Sequence, residues 1–180
     1  MFAPVNRGVA RNEFADIALS ERLVAKLRDL CDRIRAGLEA VPARGLQHTL
    51  VLAGGSASDR TQGAEFLASS LGLAVYRIDL GQVVSKYIGE TEKDLERLFG
   101  EAERAGAVLL FDEADALLGK RSEAKDRHDR YANIEVSYLL QRIEAYAGLV
   151  ILATNSTCDS DTSDDGVAKR RTHVIHFDPG

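Results

Sequence analysis

Residues Val108 to Phe111 form an unbroken apolar run, and two carboxylates, Asp112 and Glu113, follow it at once. A run so short and apolar on both alternating faces suits a strand covered on both sides, as in a central parallel strand. Buried strands are likewise expected at His48–Ala53 and Leu149–Thr154, and Ala74–Leu80 alternates as a strand. Between them lie segments with helical spacing. Leu23, Leu27, Leu30, Ile34 and Leu38 recur between Ser20, a candidate N-cap, and Pro42. Ala64, Leu67, Ala68 and Leu71 mark a second helix closed by Gly72. Thr91, with Asp94 three residues on as in a capping box, opens a third with Leu95, Leu98, Phe99 and Ala102 inward. Val136, Leu139, Leu140 and Ile143 give a fourth. Strands alternating with helices imply an α/β fold, a three-layer αβα arrangement of a parallel sheet with helices on both faces. Ligands in such sheets bind beyond the carboxyl ends of the strands, where the loops after Ala53, Phe111 and Thr154 should converge.

At 180 residues the chain is long enough for one domain with a sizeable core. A net charge of −5 argues against nucleic acid as the main partner. Cys31 and Cys158 match no disulfide or metal pattern and fit a reducing compartment. No stretch has the length and apolarity of a signal peptide or a membrane span, so a cytoplasmic protein without a membrane partner is expected. Residues 1–18 read as an irregular arm, 119–130 as too charged for core, and 156–166 as an acidic loop.

Four motifs carry chemistry. From Gly54 to Thr61 the chain has the frame of a phosphate-binding loop, G-x-x-x-x-G-K-[ST], with Asp59 and Arg60 where Gly and Lys belong. Gly54, Gly55, Ser58, Arg60 and Thr61 are the candidate nucleotide contacts, with Thr61 also a candidate Mg²⁺ ligand. Asp59 opposes a phosphate by like charge, and Arg60 is longer and planar where a compact cation is wanted. A phosphate site and a plain strand–turn–helix connection stand side by side as readings of this loop. Two placements are open: Arg60 paired with Asp59 across the phosphate position, or Asp59 in solvent with Arg60 reaching a phosphate. In VLLFDEAD, Asp112 can hold Mg²⁺ and Glu113 can polarise an attacking water; a strand followed by an acidic helix N-terminus is the other reading. Asn155, at the end of LATN, is placed to orient that water. Lys86, Tyr87 and Ile88, before Gly89, can grip an extended polypeptide or pack as a hydrophobic staple.

The stretches YRIDLGQVVSKYIGETEKDLERLF, LLFDEADALLGKRSE and DRYANIEVSYLLQRIEAYAGLVILATN together resemble the large subdomain of AAA+ ATPases. They look closest to the ATPases encoded with bacterial contractile injection systems. The resemblance implies a P-loop NTPase-like fold, with residues 1–40 an N-terminal arm and helix and 41–180 the core. It makes Gly54 and Thr61 remnants of the Walker A motif, Asp112 and Glu113 the Walker B pair, and Asn155 sensor 1. It makes Lys86, Tyr87 and Ile88 the first pore loop and Arg170 and Arg171 candidate arginine fingers. The cofactors implied are ATP or ADP with Mg²⁺. The partners implied are other AAA+ subunits in a homo- or hetero-oligomeric ring, hexameric in members with such a pore, and a polypeptide substrate. Asp59, Arg60 and Ala57 depart from the pattern, Thr172 stands where a second arginine is usual, and the sequence ends at Gly180 before a helical lid. The expectation is nucleotide binding with hydrolysis, weak by this chain alone, coupled to protein remodelling; the alternative is an inactive relative with a structural or regulatory part, or a truncated remnant.

Overall fold

A computed structural model describes residues 19–40, 48–80, 90–118, 127–155 and 171–177. In chain order the elements are α1 (Glu21–Ala40), β1 (His48–Gly54), α2 (Ala57–Leu71), β2 (Val75–Asp79), α3 (Glu90–Ala105), β3 (Val108–Asp112), α4 (Asp115–Leu118), α5 (Arg127–Ala145), β4 (Val150–Thr154) and β5 (Arg171–Phe177). The five strands form one sheet in the order β2-β3-β4-β1-β5, and every pairing is parallel.

Side-chain alternation along the strands divides the core into two layers. Leu50, Leu52, Leu110, Ile151 and Ile175 face α1 and α2. Val51, Ile78, Leu109, Phe111, Val150 and Leu152 face α3 and α5. Residues one apart on a strand point to opposite faces, so β3 and β4, apolar up to their last residues Asp112 and Thr154, serve both layers at once. In α1, Leu27, Leu30, Cys31 and Ile34 are buried against α2 and the sheet. Each such buried aliphatic side chain contributes about 1.5–3 kcal/mol. Burial also pushes the Cys31 thiol up, keeping it protonated and unreactive.

Local signals fix the ends. The Ser20 hydroxyl accepts from Leu23 N–H at 3.4 Å, so Ser20 opens α1. Gly72 adopts φ +70° and its N–H reaches the carbonyls of Ala68 and Ser69, which closes α2. Helix α3 begins at Glu90, one residue ahead of Thr91.

Two elements differ from the sequence reading. Helix α5 starts at Arg127, so the last four residues of the charged stretch 119–130 are helical. Strand β5 pairs with β1 from His48↔Arg171 to Gly54↔Phe177 and was not anticipated. Its signal, Val174-Ile175-His176-Phe177 ahead of Pro179-Gly180, is short and follows a polar tract. The arm 1–18 and the loop 156–166 lie outside the described residues.

Candidate functional site at the carboxyl ends of the strands

Strands β1, β4 and β3 lie side by side and deliver Gly54, Asn155 and Asp112 to one edge of the sheet. At about 4.8 Å between neighbouring strands, the ends of β1 and β3 lie about 10 Å apart, with β4 between them. Helix α2 leaves β1 on one face of the sheet, and α5 follows β3 on the other. The crevice between them is a topological switch point.

The loop after β1 is short and closed on itself. Gly54 and Gly55 take φ of +75° and +61°, and α2 begins at Ala57 behind the N-cap Ser56. Ser56 Oγ accepts from Asp59 N–H at 3.1 Å, and Asp59 Oδ2 accepts from Ser56 N–H at 3.1 Å. This is a capping box, in which two backbone donors at the helix N-terminus find partners within the chain. The Asp59 carboxylate also complements the positive end of the helix dipole. An anion therefore stands at the start of α2, supplied by the chain itself.

Arg60 is 2% exposed. Its Nη1 donates to the carbonyl oxygens of Gly54 at 2.8 Å and Gly55 at 2.9 Å. Its Nη2 donates to Asn155 Oδ1 at 2.5 Å. The guanidinium thus ties the turn after β1 to the end of β4. Its buried Nε–H has no partner among the described residues, a desolvation cost set against those three bonds. Neither expected placement of the pair is found: Asp59 caps the helix, and Arg60 binds carbonyls and an amide.

Asp112 is buried at the end of β3. One carboxylate oxygen accepts from Arg77 on β2, and the other from Glu113 N–H at 3.1 Å. Glu113 is exposed and sits at φ +55°, a left-handed conformation that costs a non-glycine residue on the order of 1–3 kcal/mol. Beside it, Thr154 Oγ1 donates to Asp115 Oδ1 at 2.6 Å and Ala114 N–H reaches the Ala153 carbonyl, fastening the start of α4 to β4.

The structure therefore joins Gly54, Gly55, Arg60 and Asn155 directly, and places Asp112 and Glu113 two strands from Gly54. Ser58 lies on the exposed face of α2, where its hydroxyl accepts from Gln62, and Thr61 is half-buried one residue past Arg60. Arg171 opens β5 opposite His48, at the end of the sheet remote from Gly54, so its backbone is far from this chain's own loop. Lys86, Tyr87, Ile88 and Arg170 lie outside the described residues, as does the side chain of Arg171.

Three participants were not foreseen. Ser56 was readable, since Ser-x-x-acid is a capping-box pattern. Arg77 was readable only once Ala74–Leu80 was aligned with the strand carrying Asp112. Phe177 was hidden with β5: a Cβ on Gly55 would lie 2.6 Å from its Cβ, and one on Gly63 2.8 Å from its ring. Close approach of Phe177 thus accounts for glycine at both positions.

A nucleotide held in a Walker A loop needs open backbone donors, a free cation and a free carboxylate for Mg²⁺. Here Ser56 N–H and Asp59 N–H are engaged, Arg60 is committed to Gly54, Gly55 and Asn155, and both Asp112 oxygens accept hydrogen bonds. The residues as arranged do not fit phosphate and Mg²⁺ in that manner.

A family model described as the ATPase family associated with various cellular activities (AAA) matches residues 50–179. An uncharacterised AAA family ATPase of Sinorhizobium fredii is 29% identical over 165 residues, covering 91% of this chain and 49% of that protein. Spastin of Gallus gallus is 30% identical over 171 residues, covering 93% of this chain and 26% of its own length. Spastin of Homo sapiens is 28% identical over 165 residues, with 90% and 25% covered. The chain spans about half the length of the bacterial relative and about a quarter of the spastins.

Proposed function

The chain belongs to the AAA family of ATPases, and we propose that it is a member whose nucleotide site is closed by its own side chains. Such a subunit acts structurally or regulates neighbours, with little or no ATP turnover of its own. Members of the family generally bind ATP or ADP with Mg²⁺ and typically assemble into rings. A place beside other AAA subunits in a cytoplasmic ring suits a chain with the family's fold. Among the described residues, no helix is long and apolar enough to cross a membrane. In that ring Lys86, Tyr87 and Ile88 would serve as the polypeptide-gripping loop, and Arg170 or Arg171 would serve a neighbour's site. The likeness of residues 76–99, 109–123 and 129–155 to injection-system ATPases supports a contractile apparatus as the setting.

The observation that carries this reading is the buried Arg60 guanidinium bonded to Gly54, Gly55 and Asn155. These Nη donors must be released from their protein acceptors before a phosphate can use them. A second reading, ATP-driven remodelling, draws on Asp112, Glu113 and Asn155 at the ends of adjacent strands β3 and β4. It requires Arg60 and Arg77 both to leave their partners.

Phosphate release by the isolated chain with Mg²⁺ and ATP tests the proposal. The expected rate equals that of an Asp112→Asn control. Turnover that falls when Asp112 is replaced would sink it and favour the second reading.

A further inference from the structure

We infer that Arg77 is a built-in counter-ion that takes the place of a divalent cation at Asp112. The inference rests on the internally closed site, but concerns its metal side, away from the phosphate loop. Asp112 is 8% exposed, and an ionised carboxylate at that depth requires a partner of opposite charge. Arg77 provides it, as an ion pair to one carboxylate oxygen.

Strand register explains why a cation is needed there. Asp79 on β2 and Asp112 on β3 are directly opposed. Like charges facing each other across neighbouring strands repel. Arg77 precedes Asp79 by two residues, so strand alternation places it on the same face as both carboxylates. Its side chain, 47% exposed, reaches Asp112 diagonally across the strands. Asp79 is half-buried and itself engaged in an interaction.

This arrangement excludes what a metal site needs. One Asp112 oxygen is covered by a guanidinium and the other accepts the Glu113 N–H. A divalent ion approaching Asp112 meets a positive group already in contact with its ligand. A side chain of fixed charge thus does what a dissociable ion does elsewhere. The Asp112 end of the site stays neutralised at any metal concentration.

Mn²⁺ alone, without nucleotide, is the probe, with Asp59 and Arg60 unaltered throughout. Water-proton relaxation reports bound Mn²⁺, and thermal melting reports stability. Wild type is expected to give no Asp112-dependent relaxation enhancement and no rise in melting temperature on adding Mn²⁺. Arg77→Gln is expected to melt lower, and to regain part of the loss with Mn²⁺ through a site that an added Asp112→Asn removes. Arg77→Lys, which keeps the charge, is expected to melt nearer wild type and to take up no Mn²⁺. Enhancement in wild type that Asp112→Asn abolishes would overturn the inference. So would an Arg77→Gln chain with no Mn²⁺ response, which would leave Arg77 a merely structural group. The relaxation comparison of wild type with Asp112→Asn decides the matter even if Arg77→Gln folds poorly. ATP turnover would refute the proposed function without deciding this experiment, since no nucleotide enters it.

Discussion

Arg60→Ala is expected to destabilise the protein by about 2–4 kcal/mol, lowering the melting temperature by roughly 5–15 °C for a chain of this size. The wild-type guanidinium makes three charge-assisted hydrogen bonds, to Gly54, Gly55 and Asn155. Hydrogen bonds to charged groups contribute about 1.5–3 kcal/mol each. Against them stands the cost of a buried Nε–H with no partner among the described residues, about 1–3 kcal/mol, so the net effect is smaller than the gross sum. Alanine removes the tie between β1 and β4 and leaves carbonyls that only entering water can satisfy. Arg60→Lys should cost less, because an ammonium can still reach one carbonyl. Calorimetric melting of the three proteins measures the series. A melting temperature unchanged in Arg60→Ala would mean that the guanidinium fills the crevice without bracing it.

Gly55→Ala should cost a comparable amount for a different reason. The residue sits at φ +61°, where a side chain adds about 1 kcal/mol or more of backbone strain. Its new Cβ would also lie 2.6 Å from Phe177 Cβ, and overpacking of that kind costs typically 1–3 kcal/mol. Phe177 is buried at the end of β5 and has little room to yield. Two independent penalties predict a partial rescue. In a Phe177→Gly background the Cβ–Cβ clash disappears while the backbone strain persists, so denaturant unfolding should show a coupling of about 0.5–3 kcal/mol. Full additivity would show that Phe177 is not what the glycine accommodates.

The sheet was legible because its central strands are buried on both faces, and an unbroken apolar run of that length suits little else. Helices α1 and α2 were legible from Ser20, Gly72 and the leucines between. Strand β5 was not, since its apolar residues are few and only pairing with β1 selects them. The frame of the site was also legible: Gly54 and Asp112 each end a strand, Asn155 directly follows one, and strand order sets them on one edge. What those residues are bonded to was not. The bond between Arg60 and Asn155 joins positions 95 apart in the chain, and it depends on β1 and β4 being neighbours. The pairing of Arg77 with Asp112 depends likewise on the β2–β3 register. By contrast Asp59, which by charge alone opposes a phosphate, is accounted for locally by Ser56, three residues away.

Calorimetric titration with ATP and Mg²⁺ tests most directly whether the chain closes its own phosphate site. Wild type is compared with an Asp59→Gly, Arg60→Lys double variant, which opens the capping box and frees the guanidinium's partners. No saturable heat from wild type and a saturable isotherm from the double variant is the expected result. A saturable, Mg²⁺-dependent isotherm from wild type would contradict it.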